Sequence, residues 1–292
     1  MHKINAKSIL GPKNGMNLYR GCLHGCIYCD ARSTCYQMNH VFEDIAVKAN
    51  APKLLEEALR RKRKRCMIGT GAMSDPYLPL ERELGLTRKC LELIDEYGFG
   101  LSILTKSDLI LRDLDLLKRI NQKTKCVVQI TMTTYDDELC KIIEPGVCTT
   151  GRRFEVLKIM REEGIPTICW MTPILPFIND TEENIKGLLD YCIEARVYGI
   201  MLFGIGVTLR EGNREYFYKQ LDRHFPGLKE QYIKTYGNAY ELPSLEHRRL
   251  MKIVRETCAE HGIICDSSRL FAYMNAFEDK LAGTQMTLFQ TP

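Results

Sequence analysis

From MNLYR to Gly206 the chain alternates short β-branched, apolar runs with longer amphipathic ones. That alternation confines it to a parallel sheet covered by helices. After MNLYR come the helical LLEEALRRKRKR and the strand-like CMIGTG, then TRKCLELIDEYG, stopped at Gly98, and LSILT. LILRDLDLLKRI has apolar residues at three- and four-residue intervals, and CVVQITMTT is extended. RRFEVLKIMREEG ends at Gly164 before IPTICWMTPI, and TEENIKGLLDYCIEA, with Thr181 as N-cap, leads to YGIMLFGI. About six units result, fewer than the eight of a closed barrel. The expected fold is therefore α/β, a partial (β/α)6 TIM-like barrel over residues 1–206, with a doubly wound sheet as the alternative. Beyond Gly206 the alternation stops, and residues 207–292 read as a mainly helical C-terminal extension of two or three helices and a tail.

Of 292 residues, 45% are apolar and 27% charged, the balance of a globular chain with a core. No run of about 18 apolar residues exists, so no membrane partner is expected. MHKINAKSIL lacks the apolar centre of a signal peptide. Thirteen cysteines, an odd number, then point to a reducing cytoplasm and to metal or core roles. The net charge of +4 permits an acidic partner without demanding one. RRKRKR, Arg60 to Arg65, reads equally as a solvated helix end or as a phosphate-contacting patch.

The stretch GCLHGCIYCD places Cys22, Cys26 and Cys29 at C-x3-C-x2-C. Four ligands close a structural zinc site, whereas a reactive centre leaves a position open. His24 is badly placed to share a metal with both neighbouring cysteines, and Cys35 keeps a zinc alternative alive. Three thiolates on a short loop otherwise suit a [4Fe–4S] cluster with one iron unligated by protein.

With Tyr28 before its last cysteine, the motif resembles the signature of the radical S-adenosylmethionine (SAM) superfamily. NLYRGCLHGCIYCDAR, GTGAMSDPYLPLE, LTKSDLILRDLDLL and EPGVCTTGRRFEVLKIMREEGIP together resemble its spore-photoproduct-lyase-like branch, over roughly residues 15 to 175. The resemblance implies a radical SAM partial barrel with the cluster loop after its first strand. It also implies SAM chelated at the open iron and reductively cleaved to a 5′-deoxyadenosyl radical. Carried onto this sequence, Gly71, Ser74 and Asp75 would meet the methionine end of SAM, Lys106 its carboxylate, Thr131 the cofactor and Tyr28 the adenine. Glu144, Arg152 and Arg153 match the branch pattern without a mechanism, and an ion pair at a helix start is their default reading. The substrate implied is nucleic acid, a DNA lesion above all; a peptide, tRNA or small metabolite is the alternative, and a non-enzymatic, clamp-associated metal protein a third. An electron donor such as flavodoxin or ferredoxin is implied as well.

The sequence departs from the lyases at one point. They carry a cysteine shortly before the Ser-Asp pair, which returns hydrogen to the substrate radical; here Gly71, Ala72 and Met73 stand in that stretch. Cys169 and Cys265 are the replacement candidates, against the default that each is a core residue. Finally, Gln285 to Phe289 (QMTLF) resembles the Q-x-x-L-F peptide by which repair proteins dock on the sliding clamp.

Overall fold

The structure, a computed structural model, describes residues 1–281. Six strands form one parallel sheet in sequence order: β1 (Gly15–Met16), β2 (Met67–Thr70), β3 (Gly100–Thr105), β4 (Cys126–Thr131), β5 (Thr167–Trp170) and β6 (Gly199–Met201). Helices α1 (Ala51–Arg61), α2 (Leu86–Glu96), α3 (Leu114–Lys123), α4 (Thr150–Glu162) and α5 (Glu182–Glu194) cross between successive strands. The sheet is thus the six-unit partial barrel expected from the alternation. Its edges are covered rather than joined. Leu10 bridges Met16 at one edge, and Ile264, arriving from the C-terminal region, bridges Gly199 at the other.

Local chemistry sets the element ends. Pro52 opens α1, and the Thr181 hydroxyl accepts the Asn184 N–H at the start of α5. Gly98 and Gly164, both at φ +68, end the turns after α2 and α4. Two sequence expectations change. The first strand is Gly15–Met16, while Tyr19–Arg20 pairs antiparallel with Ala46–Lys48 in a separate small sheet. Helix α1 stops at Arg61, so Lys62 to Arg65 form the turn into β2.

Side chains alternate across the strands. Ile68, Leu101, Ile103, Val128, Ile130 and Cys169 pack outward with helix residues such as Leu91, Leu117 and Leu188. Met67, Val127, Ile168 and Met201 share a second cluster with Leu270 and Met274 of a C-terminal helix. Four helices follow β6 among the described residues: α6 (Asn213–His224), α7 (Leu228–Tyr236), α8 (His247–Glu260) and α9 (Ser267–Asn275). The sequence reading located α6 and α8 but missed α7, α9 and the short antiparallel pair Gly206–Thr208 with Glu241–Pro243. The clamp-like Gln285 to Phe289 lies outside the described residues. No helix among the described residues is long and apolar enough to cross a membrane.

Candidate active site

A cavity of about 550 Å³ opens at the C-terminal ends of the strands, where barrel sites form. Cys22, Cys26 and Cys29 line it from the loop after β1. Gly71, Ser74 and Asp75 line it after β2, Lys106 after β3, and Thr131 at the end of β4. The structure therefore brings every sequence-predicted cofactor and metal residue, Tyr28 included, to one cavity.

Several of these residues are tied to each other. The Ser74 hydroxyl donates to the Gly21 carbonyl at 2.8 Å, fastening the β2 loop to the cysteine loop. The buried Asp75 carboxylate accepts the N–H groups of Tyr77 and Lys106 (both 2.8 Å) and the Thr105 hydroxyl (2.7 Å). Its Oδ2 also lies 3.0 Å from His24 Nε2. Burial alone would raise this carboxyl, but His24 and these donors outweigh it and hold the pKa at about 2. His24, set aside as a metal ligand in the sequence, is a strut between the two loops. Gly71 (φ +99) is fixed by packing as well: a Cβ there would sit 2.0 Å from the Leu104 carbonyl oxygen.

Behind the cysteine loop lies a buried polar knot: the ion pair read by default from Glu144 and Arg152–Arg153 forms through Arg153, while Arg152 pairs with Asp108. Glu144 and Arg153 form an ion pair with both side chains at 0% exposure. The Tyr28 hydroxyl donates to the other Glu144 oxygen. Arg153 also donates to the Thr131 carbonyl at 2.7 Å and the Cys148 carbonyl at 3.2 Å. Burial pushes the Tyr28 phenol up, and Glu144 adds to it, so the group stays a protonated donor. Ile27 N–H to Ile143 O (3.0 Å) and Gly146 N–H to His24 O (2.8 Å) pin the cysteine loop onto the same segment. Tyr28 therefore turns its hydroxyl to this knot.

The donor set fits a three-thiolate [4Fe–4S] cluster. All three cysteines are free, and burial pushes their thiols up, Cys22 to about 12. Thiols in that state become ligands only where metal binding offsets the loss of their protons. The fourth thiolate of the zinc alternative stands elsewhere: Cys35 is exposed, its sulfur 3.6 Å from the Arg210 guanidinium. No group of three His, Cys, Asp or Glu converges on a single metal ion among the described residues. Lys106 fits SAM in the same way. Burial works against its ammonium, yet Cys26 and Glu144 raise its pKa, and no carboxylate lies within ion-pair distance among the described residues.

Two expectations change here. Cys169 faces outward into the core, its thiol paired with that of Cys192, and Cys265 lies beside Cys258; neither lines the cavity. Period-two alternation in β5, with Trp170 lining the cavity, already placed Cys169 on the opposite face. The basic run sits at the N-terminal end of β2, away from the cavity. Arg65 packs on Gly98, Lys62 reaches Asn14, and Arg60 and Arg61 pair with Glu56 and Glu57. The cavity wall also holds Tyr36, Trp170, Phe203 and His247, none of which a motif had marked.

The Radical SAM superfamily sequence model matches residues 16–192. An uncharacterised protein of Mycobacterium tuberculosis is 29% identical over 277 residues, covering 91% of this chain and 79% of its own length. An uncharacterised protein of Methanocaldococcus jannaschii is 37% identical over 181 residues, 61% of this chain and 67% of that protein. Among solved structures, a spore photoproduct lyase variant with bound AdoMet and dinucleoside spore photoproduct has the same fold. It superposes with a TM-score of 0.62 at 17% identity, over 89% of this chain and 78% of that one.

Proposed function

The chain belongs to the radical SAM superfamily, whose members use a [4Fe–4S] cluster and SAM, and from that premise we propose that its substrate is a base of nucleic acid, a damaged DNA base above all. Bound together, the cluster and SAM supply one-electron reductive cleavage and a 5′-deoxyadenosyl radical that takes hydrogen from a substrate C–H bond. Cys22, Cys26 and Cys29 would hold the cluster through their thiolates, with SAM at the position the protein leaves open. Lys106 offers its ammonium to the cofactor carboxylate. Asp75 gives the methionine end a local negative charge while bracing the cysteine loop through His24. Thr131 and the wall around Tyr28 bound the adenosyl side.

The observation that carries the substrate reading is the position of the part-open cavity at the strand ends, within a ring of loops. The cavity is walled by strand ends, the cysteine loop and the Gly206–Thr208 and Glu241–Pro243 pair, so a base reaches it only by leaving its stack. The shared fold with spore photoproduct lyase supports the same class of substrate. The basic run at the far end of the barrel does not contribute to it. An electron donor such as flavodoxin or ferredoxin reduces the cluster, and the cytoplasm is the compartment that keeps such a centre reduced.

The test is anaerobic release of 5′-deoxyadenosine from reconstituted, reduced enzyme given ultraviolet-damaged DNA, intact DNA, RNA or no addition. Stimulation by damaged DNA alone is expected. Equal release in every tube would overturn the nucleic-acid reading and leave the radical chemistry standing, with peptides and metabolites as the next substrates.

A further inference from the structure

Three aromatic rings meet at the rim of the cavity. Trp170, at the end of β5, and Phe203, just after β6, line it, and Phe271 reaches them from α9. Ring centroids are 5.8 Å apart for Trp170 and Phe203, 6.5 Å for Trp170 and Phe271, and 6.3 Å for the two phenylalanines. The phenylalanine rings are nearly parallel at 19°, and the indole stands edge-on to both, at 71° and 80°.

Packing alone would explain three rings in contact. It does not explain their exposure: Phe203 is 61% and Phe271 41% exposed, so burial holds neither in place. The platform is nonetheless preset. Trp170 Nε1–H donates to Gln129 Oε1 at 2.7 Å, and the Gln129 amide donates to Ser102 Oγ at 2.8 Å, a chain across β5, β4 and β3 that fixes the indole. Gly204 (φ +127) turns the chain after Phe203, and a Cβ there would meet the His247 ring at 2.9 Å. His247 Nδ1 faces the Ile205 backbone, and Nε2 has no intramolecular partner among the described residues. Flat apolar faces thus stand beside an unclaimed polar nitrogen.

A nucleobase has the matching form, an apolar face with polar edges. Drawing one base into the cavity leaves its neighbour unstacked at the rim, where an aromatic face can take it up. We propose that Trp170, Phe203 and Phe271 form a stacking platform for the base next to the one that enters the cavity. The proposal rests on the nucleic-acid reading above and adds where the strand is gripped.

The experiment uses the cluster-loaded enzyme and two dye-labelled probes, a short single-stranded oligodeoxythymidylate and its abasic counterpart, which keeps the phosphates and lacks the bases. Anisotropy reports affinity. Emission from Trp170, the only tryptophan of the chain, reports contact at the rim. Phe203→Ala and Phe271→Ala are expected to weaken the base-bearing probe on the order of tenfold and to leave the abasic probe unchanged. Phe203→Tyr, which keeps a ring, should restore affinity, and Phe203→Leu, which keeps only apolar bulk, should not. Unchanged thymidylate affinity in both alanine variants would overturn the platform and leave the nucleic-acid reading intact. Equal loss on both probes, or full rescue by leucine, would overturn stacking as well. Binding of neither probe, with Trp170 quenched by an aromatic peptide instead, would overturn both readings.

Discussion

Glu144→Gln puts the polar knot behind the cysteine loop to its sharpest test. Both partners of the Glu144–Arg153 pair are at 0% exposure, so glutamine would leave a buried guanidinium facing neutral acceptors alone: the glutamine's own amide oxygen, the Thr131 and Cys148 carbonyls and the Cys140 sulfur. The Lys106 ammonium, in the same field, would add like-charge repulsion. Breaking such a pair from one side costs about 3–5 kcal/mol, a large share of the roughly 5–15 kcal/mol that holds a protein folded. With a urea slope of about 3 kcal/mol per molar, the unfolding midpoint falls by about 1–1.7 M. Removing both charges, in Glu144→Gln with Arg153→Met, takes away the buried cation that made the single change costly, so the double variant should be more stable than the single one. Circular dichroism under anaerobic urea titration reads both. The pH dependence has a definite sign. Burial alone would raise the Glu144 carboxyl, but Arg153, Lys106 and Tyr28 hold it below its ordinary value. Its contribution is therefore complete above the ordinary carboxylate range of about 4.3 and fades only as acid protonates it in the folded state. The gap between wild type and Glu144→Gln should stay constant from neutral pH to about pH 5 and close below that. An unshifted midpoint for the single variant, or a double variant that loses the sum of both single losses, would refute the reasoning.

Serine at Cys22, Cys26 or Cys29 should abolish the visible absorption of the reconstituted cluster together with 5′-deoxyadenosine release, whereas Cys169→Ala should keep both; loss of release in Cys169→Ala would return that thiol to the chemistry. Lys106→Met should retain the cluster spectrum and weaken SAM binding about 10- to 100-fold, the value of a hydrogen bond to a charged group, and an unchanged Kd by equilibrium dialysis would remove Lys106 from the carboxylate. Asp75, held at about 2 against an ordinary 3.8, contributes about 2 kcal/mol that is present above the ordinary value and lost as pH falls toward 2. The stability difference between wild type and Asp75→Asn should accordingly shrink only below about pH 5, and a constant difference down to pH 3 would contradict the His24 pairing. Arg63→Ala with Lys64→Ala should leave substrate-stimulated release intact, since those residues stand at the far end of β2; a selective loss with nucleic acid would move the binding surface there.

How much of this the sequence carried depended on whether the signal was local. Period and punctuation located the last five strands of the sheet, because a strand buried on both faces reads as an uninterrupted apolar run and Gly98 and Gly164 mark where helices stop. The cysteine loop was legible for the same reason: three ligands within eight residues need no tertiary information. The boundary of α1 was not, since Lys62 to Arg65 have good helical propensity and only the pull of β2 ends the helix before them. The ion pair of the polar knot was legible, but its burial and its link to Tyr28 were out of reach in a different way. Tyr28 and Glu144 are 116 residues apart, and neither glutamate nor arginine signals burial, so only closure of the barrel shows that one clamps the other. For Cys169 the default core reading holds, and the strand period alone was enough to choose it over the hydrogen-donor alternative. Counting by two from Trp170 puts that thiol on the helix-facing side of β5, where it meets Cys192 and not the substrate. The rim aromatics fall between these cases. Trp170, Phe203 and Phe271 come from two strand ends and a late helix, each an unremarkable apolar residue in sequence, and they acquire meaning only because the extension folds back to bridge β6 and brings α9 to the mouth. A metal loop can be read from one segment, whereas a surface that selects a substrate is assembled from several, and for that reason the chemistry of this chain was plainer in its sequence than its choice of substrate.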